Sequence, residues 1–419
     1  MLKVALLLLI NFAAVEAAVR AYFAWQLGPR VLLYGTSWQR RAVEVSEDRG
    51  ASIPWSVQSH DKRVDLKGTG IPGKSSYTKY YPNEKKQTHS PDRSTTYDVG
   101  INEHGFRGES FEIAKPEGTL RVLTLGASST FGYHSRDEET YPFQLERALE
   151  AASGEVGRFE VINFAIPHST TDHVLAMLWN EGFRLDPDVI TFYEGANDAA
   201  VIEAREDDLL QGVGQVAVDH SLALALLDRF VPFSRDVDLE WWWSDGLAAR
   251  RERAFLGNLD RIREECERRG IVFIVATQQF RSTLVKSDEL KNLTYEEEVQ
   301  FVREKLRAGA LGPAVKEKEK GFFEAAFELR MEEGDAEALA FLNGYDFPRA
   351  MLVHARLMDG LRAWAKSHGV PLVDVIETLD FQRHLLVNWV HLQPEANAII
   401  ADVLADEILR QLKSQGTPL

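Results

Sequence analysis

The sequence is nearly without cysteine. Its 419 residues hold one, Cys266, which excludes an intramolecular disulfide and a cysteine-rich zinc site. That residue sits in Glu264-Glu-Cys-Glu-Arg-Arg269, read as a charged helical face whose acidic neighbours raise the thiol pKa and count against reactivity. Positive charge is also scarce: 48 Lys+Arg stand against 64 Asp+Glu, a net charge of −16. A nucleic-acid surface needs a basic patch to replace phosphate counterions, so that partner is excluded. Long, clean apolar runs are missing as well; the best, Val4–Val15, is too short to cross a bilayer alone. No internal repeat or long low-complexity run is present. With 45% hydrophobic and 27% charged residues the chain is globular in composition, and its length allows two domains.

The N-terminus is unusual. Leu2–Phe23 is mostly apolar, with Lys3 ahead of the run and Glu16 and Arg20 in its second half. One reading is a signal peptide, with Val4–Val15 as its apolar region and Val15-Glu-Ala-Ala18 as a small-residue cleavage site. Another is an uncleaved anchor reaching about Phe23, with Glu16 and Arg20 paired at i, i+4 and snorkelling to the interface. The plainest is a buried amphipathic helix. Membrane targeting is expected over it, with residues 1–24 as signal or anchor. Lys3 favours a cytoplasmic N-terminus and an exported remainder. A lone cysteine is compatible with an oxidising compartment.

Residues 25–119 carry short β-prone pieces between turn residues, including Ser94-Thr-Thr-Tyr-Asp-Val-Gly100 and Ile101-Asn-Glu-His-Gly-Phe-Arg107. They predict a small, mostly extended subdomain that packs against the main domain or shapes its cleft. From Arg121 strands and helices alternate. Strands are expected at Val122–Leu125, Phe159–Asn163, Val189–Tyr193, Ile271–Ala276 and Pro371–Val375. Helices are expected near Tyr141–Ala152, Thr171–Asn180, Ala248–Arg269 and Ala350–Ser367, with a closing helix after Pro394. This pattern predicts an α/β fold of three layers, a parallel sheet covered on both faces, over residues 120–419. Two insertions interrupt it, at about 203–245 and 282–347. The first holds Glu240-Trp-Trp-Trp243; the second is charged and helix-prone at Asn292–Leu306 and Lys316–Glu333. Both follow strands, where loops carry function, and they offer a lid. The tryptophans suit packing of an inserted helix better than a substrate platform, and contact with lipid at an interface suits them equally. Asn292-Leu-Thr294 fits a glycosylation sequon, of consequence only in a eukaryotic secretory route.

Three segments carry the chemistry. Arg121-Val-Leu-Thr-Leu-Gly-Ala-Ser-Ser-Thr-Phe-Gly132 reads as a buried strand, a small-residue turn and a helix start. Ser128 falls at that junction, where helix N–H groups face developing negative charge, a setting that suits a nucleophile. The stretch lacks Gly-x-Gly-x-x-Gly spacing and a Gly-Lys-Ser/Thr ending, so it is not a nucleotide loop. Gly195-Ala-Asn-Asp198 follows another buried strand. Asn388-Trp-Val-His-Leu-Gln-Pro394 leads into the last helix. In open α/β sheets, sites form outside the carboxyl ends of the strands, where these segments can meet.

Together the segments resemble the SGNH, or GDSL-like, hydrolase superfamily. Gly126-Ala127-Ser128 matches its first block with alanine for aspartate, and Gly195-Ala196-Asn197-Asp198 matches the third fully. Asn388-Trp389-Val390-His391 matches the fourth with asparagine for aspartate. Asn163-Phe-Ala-Ile-Pro-His-Ser-Thr170 has the context of the second, with His168 where glycine is usual. The likeness covers roughly residues 120–280 and 350–415 and implies an α/β/α, flavodoxin-like sheet. It implies Ser128 as nucleophile and His391 as general base. It also implies Asn197 as an oxyanion donor beside the N–H groups of Ser128 and His168. Asp198 would hold the turn, and Ser129 would stand at a non-catalytic place. Asn388 can hold the ring through its amide oxygen but brings no negative charge. A Ser–His dyad, help from another carboxylate such as Asp374, or an inactive relative all stay open.

The expected function is serine-dependent hydrolysis of an ester on a carbohydrate or lipid, with no metal or organic cofactor. One alternative is an O-acyltransferase using the same residues with a sugar hydroxyl in place of water. The other is a catalytically weak or inactive binding relative, for which Asn388 speaks.

Overall fold

The computed structural model describes residues 11–22, 62–92, 94–154, 158–200, 223–224, 247–282, 285, 289–307 and 347–417. The tryptophan run 241–243, the helix-prone stretch 316–333 and most of both insertions lie outside the described residues, as do residues 1–10 of the expected leader. The chain divides into two compact units.

The first unit comprises Met1–Val57, Ile202–Leu247 and Lys305–Asp346. Its main described element is helix α1, over 11–22. Arg20 pairs with Glu16 at 2.6 Å, as the i, i+4 spacing predicts, and Ala223 N–H also donates to Glu16. Phe12, Val15 and Tyr22 are exposed. No helix among the described residues is long and apolar enough to cross a membrane.

The second unit comprises Gln58–Val201, Ala248–Glu304 and Phe347–Leu419. It opens with two antiparallel hairpins, β1 (Lys62–Asp65) with β2 (Ser76–Lys79) and β3 (Lys85–His89) with β4 (Thr96–Gly100). Then comes a five-stranded, wholly parallel sheet: β5 (Leu120–Gly126), β6 (Phe159–Ala165), β7 (Val189–Tyr193), β8 (Val272–Ala276) and β9 (Leu372–Val373). Strand order is β6-β5-β7-β8-β9. The chain therefore steps to one side of β5 and then returns to the other. Such an order leaves a crevice at the carboxyl ends of β5 and β7, the topological switch point.

Every residue of β7 and β8 is buried, as a sheet covered on two faces requires. Side chains alternate between those faces. Val122, Val189 and Ile274 share a core with Tyr141, Leu145 and Leu149 of α3 (Tyr141–Ser153) and with Ile400, Leu404 and Ile408 of α10 (Pro394–Ser414). On the opposite face Phe192 meets Phe255 of α6 (Leu247–Arg269), ring centroids 6.0 Å apart. Glu252 of α6 pairs with Arg356 of α8 (Phe347–His368) at 2.6 Å. The three-layer α/β architecture predicted by the alternation is thus present.

One strand and one residue differ from expectation. The strand expected at Pro371–Val375 shrinks to Leu372–Val373, because Asp374 caps a short helix, α9 (Val375–Leu379), by accepting from Glu377 N–H. Cys266 does not sit on a charged face: it is fully buried on the inner side of α6, and burial, with Glu265 beside it, pushes its thiol pKa up.

Candidate active site

Register brings the candidate segments to one edge of the sheet. Gly126 closes β5 opposite Ala165 of β6 and Tyr193 of β7. Ser128, His168 and Asn197 each follow one of those strand ends within a few residues. Gly126 is required sterically. A Cβ there would lie 2.0 Å from Thr130 Oγ1 and 2.7 Å from the Tyr193 carbonyl oxygen. Ser128 is the first residue of a four-residue helix, α2 (Ser128–Phe131), and Ala127 stands at its cap with no side-chain hydrogen bond. Ser128 is therefore not the helix cap.

The far end of α2 is held by Arg107. Its guanidinium donates to the carbonyls of Phe131, Gly132 and Ser135 and pairs with Asp137 at 2.7 Å. The first two of these carbonyls end the helix and need partners, which a buried arginine supplies. The stretch expected as a small, mostly extended subdomain thus fixes the helix bearing Ser128.

His391 comes from the loop before α10. That loop closes on itself through Val387 N–H to the His391 carbonyl at 2.8 Å and a bridge between Leu386 and Leu392. His391 Nε2 lies 2.8 Å from Ser128 Oγ. The ring is packed edge-on by Tyr133 and His134, with centroids 5.1 and 5.5 Å away. Burial holds its pKa well below the usual histidine value, with His134 and His168 adding to the shift, so the ring is neutral.

Asn388 is at the other nitrogen of the ring, in an orientation contrary to expectation. Its Oδ1 accepts the backbone N–H groups of Val390 and His391, at 3.2 and 3.0 Å. Its Nδ2 is the atom 2.9 Å from His391 Nδ1. The amide nitrogen, not the oxygen, faces the imidazole. Asp374 does not substitute for the missing carboxylate. It is engaged by Arg362 at 2.8 Å and by Thr277 at 2.8 Å, besides capping α9.

Asn197 and Asp198, in α5 (Ala196–Ala200), stitch the end of β7 to the chain entering α4 (Thr171–Asn180). Asn197 Nδ2 donates to the Ser169 carbonyl at 3.0 Å. Asp198 accepts from Thr171 N–H and Oγ1 at 2.8 and 2.7 Å. His168, just ahead of Ser169, adopts φ of 62°, the left-handed region. A glycine enters that region without cost, which gives a physical reason for glycine at this place. His168 is exposed at the surface, although protein packed around its ring lowers its pKa.

Ser129, the neighbour of Ser128, is committed elsewhere. Its hydroxyl donates to the Val390 carbonyl at 3.0 Å and receives Gln278 Nε2 at 3.4 Å, while Gln278 Oε1 accepts Ala196 N–H at 2.8 Å. One hydroxyl and one amide thereby join the serine turn, the asparagine turn and the histidine loop. Gln278 and Arg107 escape sequence reading because nothing local marks them. Glu194 had a signal, its place directly before Gly195. It is buried at the end of β7, accepts Asn197 N–H at 2.7 Å, and burial raises its pKa to about 8.

No family model and no curated protein matches the chain. Solved structures do. A lipase/acylhydrolase from Enterococcus faecalis is 14% identical, covers 71% of this chain and 97% of its own, and has a TM-score of 0.37. A catalytic mutant of an acetylxylan esterase from Geobacillus stearothermophilus is 13% identical over 70% of this chain and 95% of its own, TM-score 0.36. A GDSL-like lipase from Bacteroides thetaiotaomicron is 12% identical over 70% and 89%, TM-score 0.34. These neighbours are ester hydrolases. At such identities and TM-scores the likeness assigns no role to a residue of this chain.

Proposed function

We propose that this chain is a serine-dependent ester hydrolase of the SGNH type. The observation that supports it most is the 2.8 Å contact between Ser128 Oγ and His391 Nε2, at the carboxyl edge of a parallel sheet and beside the switch point. Ser128 Oγ attacks the carbonyl carbon, and its proton passes to His391 Nε2. The N–H groups of Ser128 and His168, with the second N–H of the Asn197 amide, face the oxyanion. The ring then returns the proton to the leaving alcohol, and water releases the acyl group. The ester is carried on a carbohydrate or lipid: the half-buried Trp389 beside His391, centroids 6.3 Å apart, offers an apolar or sugar-stacking wall. Export or tethering proceeds through the N-terminal segment, in keeping with the exposed Phe12, Val15 and Tyr22 of α1.

The test is hydrolysis of p-nitrophenyl acetate and butyrate by the full chain in detergent micelles, beside Ser128→Ala. Turnover that drops to the uncatalysed rate in S128A is expected. Equal turnover in both proteins overturns the nucleophile. A second reading, a relative with little or no turnover, is favoured by the Asn388 amide nitrogen aimed at His391 Nδ1. No turnover in either folded protein would select it.

A further inference from the structure

We propose that Asn388 holds His391 in its Nε2–H tautomer, so that at rest the imidazole donates to Ser128 instead of accepting from it. The consequence for turnover rests on the hydrolase reading of Ser128, whereas the tautomer rests on hydrogen-bond geometry alone.

The backbone N–H groups of Val390 and His391 converge on one side-chain atom of Asn388, at 3.2 and 3.0 Å. Only the amide oxygen can accept them; an NH2 group there would set donor against donor. The amide is planar, so its nitrogen points the other way, and it lies 2.9 Å from His391 Nδ1. An amide NH2 is a donor only. His391 Nδ1 must therefore present its lone pair. A neutral imidazole carries a single N–H, which falls to Nε2. That atom is 2.8 Å from Ser128 Oγ, so the ring's N–H is given to the hydroxyl oxygen.

This is the wrong polarity for a general base, because Nε2 has no lone pair to receive the serine proton. Two rearrangements would restore it. Moving the ring proton to Nδ1 sets two donors face to face across the same 2.9 Å. Rotating the amide surrenders both backbone hydrogen bonds and faces its NH2 toward two N–H groups. The productive tautomer is a minor state in either case. An aspartate would remove the conflict: one carboxylate oxygen keeps the backbone N–H groups, the other takes Nδ1–H, and Nε2 is freed to accept. Asn388 is thus a positioning residue acting through His391, and a brake on Ser128.

The experiment is long-range 15N–1H NMR of the full chain in micelles with 15N-labelled histidine at neutral pH, His391 being assigned from its loss in H391Q. The expected spectrum shows a bare Nδ1 and a protonated Nε2 in the natural protein, and the reverse in Asn388→Asp. N388D should also gain about 10²- to 10⁴-fold in kcat/KM on p-nitrophenyl acetate. The opposite change in a serine protease triad imposes the wrong tautomer and lowers turnover about 10⁴-fold. A protonated Nδ1 in the natural protein overturns the tautomer assignment, whatever the rates, and needs no variant to fold. An N388D spectrum unchanged from the natural one overturns the part given to Asn388. Reversed nitrogens in N388D without turnover that S128A abolishes leave the tautomer standing and sink the hydrolase reading instead.

Discussion

Two residues at the rim of the site show how backbone conformation constrains composition. His168 holds φ of 62°. A side chain in that region costs about 1 kcal/mol or more relative to glycine, because Cβ crowds the following carbonyl. His168→Gly is therefore expected to leave stability unchanged or raise it by up to about 1 kcal/mol in urea unfolding. Losing the bulky imidazole should also shift the butyrate-to-acetate preference toward the longer chain. Gly126 is the opposite case. A Cβ added there would meet neighbours at 2.0 and 2.7 Å that include the backbone of β7, which cannot withdraw without breaking sheet register. Gly126→Ala should cost about 1–3 kcal/mol by overpacking in urea melts and, on the proposed function, lower p-nitrophenyl acetate hydrolysis about tenfold or more.

At the level of elements, the histidine loop is fastened from behind by a buried ion pair. Arg383, fully buried, pairs with the fully buried Glu298 of α7 (Tyr295–Arg307) and donates to the Phe280 carbonyl at 2.8 Å. Glu298 in turn accepts Ser282 N–H and Oγ at 2.8 and 2.7 Å. The pair joins α7, the segment after β8 and the loop that carries His391. Removing one partner leaves an uncompensated buried charge, a loss of about 3–5 kcal/mol in comparable pairs. Arg383→Met should fall in that range in chemical unfolding, and R383M combined with Glu298→Met should recover much of it. The sequence revealed α7 as a helix-prone stretch, since Asn292–Leu306 carries the right residues. It did not reveal that the helix serves the histidine loop, because the arginine and the glutamate are far apart in the chain.

For the whole molecule, the balance of buried titratable groups sets the response to pH. Burial raises Glu194 to about 8, Glu146 to about 7 and Asp198 to about 6. Each binds a proton more tightly folded than unfolded. Their contribution to stability is complete below the unfolded carboxyl pKa and is lost as pH rises through the folded value. His354 and His391 run the other way: burial lowers both, to about 3 for His354, so their contribution is complete above the unfolded histidine value and lost as pH falls. Glu194→Gln cannot ionise. Its Tm should therefore gain on that of the natural protein by several degrees between about pH 5 and about pH 9, and differ little at the acid end. A constant difference across that range in thermal melts would show that Glu194 does not titrate there.

The sequence by itself determined the alternation of strands and helices, and with it the layered sheet. Buried strands such as Val189–Tyr193 are short apolar runs, and helices such as Thr171–Asn180 repeat their apolar residues at helical spacing. Those are local signals, written in order along the chain. It also marked Ser128, His168, Asn197, Asn388 and His391, each within a few residues of a strand or helix end. Tertiary structure alone decided which atoms meet. Parallel register set Gly126, Ala165 and Tyr193 level, Arg107 reached α2 from a distant turn, and Arg362 claimed Asp374. The amide of Asn388 shows the division most sharply. Its composition said only that a charge was missing. Which of its two ends faces His391 was decided by two backbone N–H groups, whose directions exist only once the loop has closed.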